Sequence, residues 1–402
     1  MERLPLADRA AIDPCGASAS MNLPTELYIG REQTYIKHTF LRRYLETLAV
    51  KVLYGGWDAF NYVDGFAGPW EIRDEEGCSD ASFGVAVDLL ETVKEFVEMR
   101  RRGPRLKVRF YLCEKNPDAV ARLRAYAQRR DDIEIHVFEG VFEDNLEQIA
   151  RLIPDGFTFT FIDPTNWVVR IEDVCAFLKG RAGEFLFNFM TEEVSRHSVN
   201  PKVAHQFGDF VGDPNWEDTA RRLPAGLKGE IKVLHLLKDA FRSHGVATYL
   251  PDFSILKPLA NREKMRLMLG TNRPEGVKLF RDIHGAVERE EFKSRREAKA
   301  AKTNQDQLFS ADDYALHEQG ERGLGCKRYQ VLSKHLIAEA LRERRAVEFS
   351  SLALEVMERF PMKETHVKDL CVEMKARGLL DFELKPKAKK PRGSTVIMTV
   401  EK

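Results

Sequence analysis

Five apolar stretches rich in β-branched and aromatic residues alternate with amphipathic stretches between residues 60 and 190. The apolar stretches have the composition of strands, and the amphipathic ones repeat their apolar positions every three to four residues, as helices do. Strands that alternate with helices in this way form a mostly parallel sheet with helices on both faces. The sequence therefore predicts an α/β fold, with strands at residues 60–63, 108–114, 133–138, 157–162 and 185–190.

The regions beside these five strands give further expectations for the same sheet. Residues 33–52 predict a long helix before the first strand, and Ser82 is a candidate N-cap for the next helix. Residues 191–232 are rich in Asn, Gly, Pro and charge, which predicts a small helical insertion over the edge of the sheet. Strand-like runs at Ala247–Leu250 and Met265–Gly270 are expected to complete the sheet.

Acidic residues stand at the carboxyl ends of three predicted strands. Asp64 follows the first strand, Glu114 ends the second and Asp163 follows the fourth. In parallel α/β sheets these ends line the ligand crevice. Asp64 is followed by Gly65-Phe66-Ala67-Gly68-Pro69, in which glycine permits a sharp turn and a close approach of the backbone to a ligand. This is not the Gly-x-Gly-x-x-Gly spacing of dinucleotide sites, and a turn without a ligand explains it nearly as well.

The C-terminal region has a different pattern, with three predicted helices followed by two predicted strands around a basic loop. Residues 324–402 contain 17 Lys and Arg against 11 Asp and Glu, although the whole chain has a formal net charge of zero. This order is typical of a winged helix, in which the third helix and the loop contact nucleic acid. A solubilising tail and a dimerisation domain are the alternatives. The loop residues expected to contact phosphates are Lys385, Lys387, Lys389, Lys390 and Arg392.

Composition excludes several classes of protein. No apolar run approaches the roughly 20 residues of a membrane helix, and the first twenty residues lack the apolar core of a secretory signal. The six cysteines are scattered without Cys-x-x-Cys spacing, which argues against zinc ribbons, iron–sulfur sites and disulfide frameworks. We therefore expect a cytoplasmic protein without a bound metal or a membrane anchor.

Two motifs at the start of the predicted sheet resemble a known family. Lys37-His38-x-x-Leu41-x-x-Tyr44 and Tyr62-Val63-Asp64-Gly65-Phe66-Ala67-Gly68-Pro69 are similar to the three-Cys-motif partner family of bacterial methyltransferase-like proteins. The segments 249–252, 265–272 and 305–309 and the C-terminal region are similar to it as well. The resemblance implies a Rossmann-like class I S-adenosylmethionine-dependent methyltransferase fold with a C-terminal winged helix. It also implies a protein partner encoded nearby, since the three cysteines of the family name belong to a neighbouring protein.

The resemblance also implies roles for individual residues. Gly65 and Gly68 would let the Asp64–Pro69 loop approach the methionine part of S-adenosylmethionine, and Glu114 would bind the ribose hydroxyls. Gly140-Val141-Phe142 would border the adenine, although many relatives carry an acid where this chain has Val141. Asp163-Pro164-x-x-Trp167 stands where amino-methyltransferases carry an Asp-Pro-Pro-aromatic motif. That motif holds the acceptor amine and stacks on its planar base, but Thr165-Asn166 replaces the second proline.

Two hypotheses about function remain open at this point. The first is a methyltransferase that its winged helix brings to DNA or RNA, with Asp163 orienting the acceptor and accepting its proton. The second is a catalytically inactive binding or regulatory partner with a methyltransferase-like fold. For Asp163 the structural alternative is a helix cap, for Glu114 a solvated acid, and for Trp167 a filler of the sheet edge. Lys37 and His38 are expected to be structural.

The expected domain organisation has four parts. Residues 1–22 are expected to be a mobile leader, and residues 23–290 a methyltransferase-like Rossmann domain. Residues 291–325 are expected to be a charged, solvated helix and a linker, followed by the winged helix domain at 326–402.

Overall fold

The computed structural model describes residues 23–69, 71–130, 133–197, 201–303 and 310–400. The predicted leader and residues 304–309 of the predicted linker lie outside these ranges. In the described ranges, no helix is long and apolar enough to cross a membrane.

The centre of the molecule is one mostly parallel sheet, as the sequence predicts. Within the described residues it has seven strands: β1 (Ala59–Asp64), β2 (Lys107–Glu114), β3 (Glu134–Glu139), β4 (Phe157–Ile162), β5 (Gly183–Phe189), β6 (Asp252–Leu256) and β7 (Glu263–Gly270). Their order is β3-β2-β1-β4-β5-β7-β6, and β7 alone runs antiparallel to its neighbours. The chain moves outward from β1 to β3 and then crosses back to β4, so the strand order reverses beside β1.

Helices cover both faces of this sheet, because residues on each strand alternate between two apolar cores. Tyr62 of β1 belongs to one core and Val63 to the other. The described helices are α1 (Glu32–Tyr54), α2 (Ser82–Arg100), α3 (Pro117–Gln128), α4 (Phe142–Leu152), α5 (Ile171–Leu178), α6 (Thr191–His197), α7 (Ala204–Val211), α8 (Trp216–Arg222), α9 (Gly229–Ser243), α10 (Pro274–Thr303), α11 (Ala311–Arg322), α12 (Lys327–Arg344), α13 (Phe349–Arg359) and α14 (Glu364–Ala376). Helices α1, α2 and α10 pack on the Tyr62 side, and α4, α5, α7 and α9 pack on the Val63 side.

Two predictions about the sheet and its helices are wrong. The sixth strand is β6, not Ala247–Leu250, which contributes only an isolated bridge between Tyr249 and Thr271. The two-residue period of a strand fits β6, because Phe253 and Ile255 both point into the core and are 2% and 0% exposed. Ser82 is not an N-cap either, because it is the first residue of α2 and its hydroxyl hydrogen-bonds elsewhere.

Helix α10 is the longest described helix and joins the two halves of the chain. It runs through residues 290 and 291, so the domain boundary predicted there lies inside one helix. The solvated helix expected after residue 290 is partly buried in the structure. Arg295 is 3% exposed, and its guanidinium donates to the backbone carbonyls of Lys257 and Ala260 at 3.0 Å each.

The C-terminal unit has a core of its own, built from α12, α13 and α14. A strand that the sequence did not predict, β8 (Ala346–Glu348), pairs antiparallel with β9 (Val396–Met398). The strand predicted before the basic loop is Leu379–Leu384, but of these residues only Asp381 pairs, through a bridge to Met398. The basic loop therefore connects Asp381 to β9, and Asp381 pairs with Met398 of β9.

Arg281 fastens this C-terminal unit to the sheet. Its side chain is buried at 1% exposure and donates to the carbonyl of Asp252 at 2.8 Å. The same guanidinium donates to the carbonyls of Met357 and Glu358 in α13, at 2.6 and 3.1 Å. One cation on α10 thus satisfies backbone groups of both β6 and the C-terminal unit.

Candidate functional site

The sheet brings the three predicted carboxylates to one edge. Because β1 lies between β2 and β4, the ends that carry Asp64, Glu114 and Asp163 are neighbours. They stand where the strand order reverses, which is the usual ligand position in open α/β sheets. We call this edge the crevice.

Asp64 is completely buried and organises the turn behind the crevice. Its carboxylate accepts hydrogen bonds from the Phe66 N–H at 3.0 Å and from the Ser82 hydroxyl at 2.8 Å. Burial raises the pKa of Asp64 to about 7, although these two hydrogen bonds oppose the shift. The side chain therefore ties the loop after β1 to the start of α2.

Gly65 is packed against an aromatic ring. A Cβ atom at this position would lie 2.7 Å from Cδ1 of Phe142, closer than any real contact of that kind. The Gly65 N–H donates to the Phe161 carbonyl at 3.1 Å, and the Ala67 N–H donates to the Cys113 carbonyl at 2.9 Å. The glycine turn is thus bonded to the ends of β4 and β2, with Phe142 filling the space beside it.

Glu114 offers a free acceptor atom at the end of β2. Its Oε1 accepts the Asn116 N–H at 2.7 Å, and its backbone carbonyl accepts the Gly140 N–H at 2.9 Å. Oε2 makes no hydrogen bond to any residue in the described ranges, although the residue is only 4% exposed. A carboxylate oxygen without a protein donor can accept a hydrogen bond from a ligand hydroxyl.

The turn after β3 borders the same region. Gly140 has φ of +118°, a conformation in which most other residues are strained. The amide of Asn145 donates to the Val141 carbonyl at 2.9 Å and holds the turn. Val141 is 39% exposed while Phe142 is 1% exposed, so of these two side chains Val141 is the one that solvent reaches.

Asp163 is held from two sides by residues that the sequence did not connect with it. Lys37 of α1 forms an ion pair with Oδ2, and the Asn188 amide donates to Oδ1 at 2.6 Å. The pair is well shielded, since the two side chains are 11% and 15% exposed. The sequence predicts only a structural role for Lys37, yet this residue lies between Ile36 and Phe40 on the buried part of α1. A lysine among the buried positions of a helix indicates that its charge has a partner inside the protein.

His38, the neighbour of Lys37, does have structural contacts. Its Nδ1 lies 3.0 Å from the Tyr28 hydroxyl, and the residue is 3% exposed. Burial lowers its pKa well below the usual value, so the ring is neutral.

Trp167 points into the helical layer beside β5. It is 7% exposed and stacks on Phe207 of α7, with ring centroids 5.1 Å apart and planes at 4°. The His197 ring lies 4.5 Å from it, and Nε1 of Trp167 has no hydrogen-bond partner among the described residues. Pro164 is buried in the same turn. To stack on a planar acceptor, Trp167 would have to leave Phe207.

A second cluster that sequence reasoning missed lies just after β5. The carboxylate of Glu192 on α6 forms ion pairs with Lys257, Arg262 and Lys264 of the β6–β7 hairpin. Burial raises the pKa of Glu192, but the bonds from Lys257 and Lys264 outweigh it and lower the pKa to about 2. The hairpin end therefore brings cations to the same side of the sheet as the crevice.

The basic loop of the C-terminal unit remains mostly unpaired. Lys385, Lys387, Lys389 and Arg392 are exposed and make no ion pair within the described residues. The exception is Lys390, which pairs with Asp369 on α14. No hydrogen bond or ion pair of the described residues joins this loop to the crevice.

Comparison with known proteins finds only distant likenesses. No family model matches the sequence, and no curated protein matches it. Among solved structures, a Legionella pneumophila protein of the family DUF519 has 14% identity and a TM-score of 0.32, covering 61% of this chain and 88% of its own. A Klebsiella pneumoniae protein provisionally assigned as an O-methyltransferase has 11% identity and a TM-score of 0.29, covering 57% and 79%. The cofactor-bound Rv0187 from MTB has 11% identity and a TM-score of 0.29, covering 68% and 100%. At these values no likeness assigns a family, and the fold assignment rests on the strand order of the sheet itself.

Proposed function

We propose that this chain is an S-adenosylmethionine-dependent methyltransferase that acts on a nucleic acid held by its C-terminal unit. The observation that carries the proposal is the meeting of Asp64, Glu114 and Asp163 at the reversal point of the strand order. The sheet supports it, because the order β3-β2-β1-β4-β5-β7-β6 with β7 reversed is typical of class I methyltransferases.

The residues at the crevice fit such a cofactor. Glu114 would bind the ribose through Oε2, the acceptor atom left without a donor. The loop from Asp64 to Pro69 would border the methionine part, and Gly140, Val141 and Phe142 would border the adenine. S-adenosylmethionine supplies an electrophilic methyl group on its sulfonium when bound.

The protein's contribution to the reaction would be positioning, together with the exclusion of water. Asp163 would orient an acceptor amine and take the proton that the nitrogen loses as the new N–C bond forms. Lys37 and Asn188 hold both of its oxygens, so its carboxylate is fixed in one orientation.

The C-terminal unit supports a nucleic-acid partner. A short strand between α12 and α13, the bridge at Asp381 and β9 surround the basic loop, as in the wing of a winged helix. If Lys387, Lys389 and Lys390 contact phosphates, affinity should fall steeply with salt, and replacing all three with alanine should flatten that dependence. An unchanged slope would point to a protein partner.

Isothermal titration with S-adenosylmethionine tests the cofactor site. We expect binding by the wild type and at least about tenfold weaker binding by Glu114→Gln, since a hydrogen bond to a charged group contributes about 1.5–3 kcal/mol. Glu139→Gln, at the exposed end of the neighbouring strand β3, is the matched control and should bind normally. No binding by the wild type at high micromolar cofactor would refute the proposal.

The second candidate function is a catalytically inactive binding partner. Two observations favour it: Lys37 already neutralises Asp163, and Trp167 is covered by Phe207. A tritiated-methyl transfer assay on DNA, RNA and protein separates the two functions. The inactive partner binds cofactor without incorporating label, whereas the enzyme labels its acceptor.

A further inference from the structure

A cavity of about 460 Å³ lies where α10, α11, α12 and the start of α14 meet. Three cationic side chains line it: Arg289 from α10, Lys327 from α12 and Lys363 at the start of α14. The described residues of its lining include no Asp or Glu. Its walls therefore carry an excess of positive charge.

Two of the three cations of this cavity lack counter-ions within the described part of the chain, and the third has one exposed partner. Arg289 and Lys327 form no ion pair or side-chain hydrogen bond there, and both are exposed. Lys363 is 3.4 Å from Asp282, a loose contact with a side chain that is 64% exposed. Three positive groups facing one space repel each other unless an anion joins them.

Besides Asp282, two acids on the helices around the cavity are engaged with other groups. Glu288 accepts the Leu324 N–H at 2.8 Å, and Glu364 forms ion pairs with Lys278 and Lys368. Neither lines the cavity. Glu288 and Glu364 therefore do not neutralise the cavity, and Asp282 contacts Lys363 from its exposed side.

Two helices also begin at this cavity. Helix α12 starts at Lys327, and its N-cap Cys326 makes no side-chain hydrogen bond to the free N–H groups of the first turn. Helix α14 starts one residue after Lys363, and His366 of its first turn lines the cavity. The first turn of a helix carries partial positive charge, which adds to that of the side chains.

We propose that this junction cavity is an anion site that takes a phosphate group. The phosphate comes either from a nucleic-acid backbone or from a free nucleotide, and both offer the same chemistry to Arg289, Lys327 and Lys363. A backbone phosphate fits the surroundings, because Asp369, about one turn after His366 on α14, binds Lys390 of the basic loop. The site does not depend on methyl transfer, so failure to bind S-adenosylmethionine leaves it unaffected.

The test uses the full chain and two probes. Isothermal titration measures inorganic pyrophosphate, and fluorescence anisotropy measures labelled 20-nucleotide single strands and duplexes at several salt concentrations. The variant is Arg289→Ala with Lys327→Ala, whose side chains are exposed, so it is expected to fold. The control is Lys179→Ala, which removes an exposed charge at the other edge of the sheet, before β5. Circular dichroism checks the fold of each protein.

We expect the double variant to bind at least one probe about a hundredfold more weakly, because it removes two charge-assisted bonds and each contributes about one decade of affinity. The control should bind as the wild type does. If pyrophosphate binding is weakened and oligonucleotide binding is not, the source is a free nucleotide. If the oligonucleotide is affected, the source is a backbone, and the slope of log affinity against log salt should fall by about 1 for each phosphate that is no longer bound. The proposal is overturned if the wild type binds neither probe, or if the double variant binds every probe that the wild type binds with unchanged affinity.

Discussion

Replacing Lys37 with methionine should destabilise the protein because it leaves Asp163 as a shielded charge without a cation. Removing one member of a buried ion pair costs about 3–5 kcal/mol. Asp163 keeps the hydrogen bond from Asn188 at 2.6 Å, and its side chain is 15% exposed. Both features favour the lower end of that range, about 3 kcal/mol in the free energy of unfolding.

The double variant Lys37→Met with Asp163→Asn should be much less affected. The introduced amide can still accept the bond from Asn188, and no unpaired charge remains. The loss in this double variant should be about 1 kcal/mol. Asp163→Asn alone leaves Lys37 without its anion and should cost about 3 kcal/mol as well, so the sum of the two single losses should exceed the double loss by several kcal/mol. Lys51→Met, an exposed lysine on the same helix α1, is the matched control and should change stability by less than about 0.5 kcal/mol.

Equilibrium urea unfolding, followed by tryptophan fluorescence, measures these differences. The pair is not coupled if the double variant loses as much free energy of unfolding as the two single variants together. The same conclusion follows if Lys37→Met loses no more than Lys51→Met. The same double variant separates folding from chemistry. It should bind S-adenosylmethionine like the wild type and transfer no methyl group.

Three further predictions concern residues outside this pair. Gly65→Ala should lower stability by about 1–3 kcal/mol through overpacking against Phe142, and adding Phe142→Leu should recover part of the loss in the same urea assay; no recovery would mean that the ring is not the obstacle. Asp64→Asn should change the pH dependence of stability. The Asp64 pKa of about 7 in the fold exceeds its ordinary value of 3.8, so its contribution is fully present below about pH 4 and is lost as pH rises to about 7. Melting temperatures from pH 5 to 8 should therefore show the variant gaining on the wild type until about pH 7, and a constant gap would contradict the shift. Arg281→Met should cost about 3 kcal/mol, because it leaves backbone carbonyls of β6 and α13 without a donor. Calorimetry should show the C-terminal unit melting separately, whereas one unchanged transition would show that Arg281 does not couple the two parts.

The strands and the crevice could be predicted because both follow from local pattern. The apolar stretches that alternate with amphipathic ones predict β1 to β5. Because parallel strands end at the same edge of a sheet, the positions of Asp64, Glu114 and Asp163 could be predicted without knowing how the helices pack. The boundaries of β6 were harder, since the runs on either side of Pro251 are both apolar.

The contacts of Asp163 and Glu192 could not be predicted in the same way. Lys37 lies 126 positions before Asp163, and the cations around Glu192 lie on a hairpin 65 to 72 positions after it. Which side chains meet across such separations depends on how α1 and the hairpin pack on the sheet, and periodicity does not encode that. The sequence indicates a role for Asp163, but it identifies neither the partners of Asp163 nor the cluster around Glu192.

Helix α10 has a consequence for how an acceptor would be selected. Its 30 residues span about 45 Å, and it is bonded to β6 through Arg281 and to the β6–β7 turn through Arg295. The C-terminal unit is therefore held at a set distance from the crevice rather than on a tether. If the proposed nucleic acid binds to that unit, the part of it that reaches the crevice is set by this fixed placement.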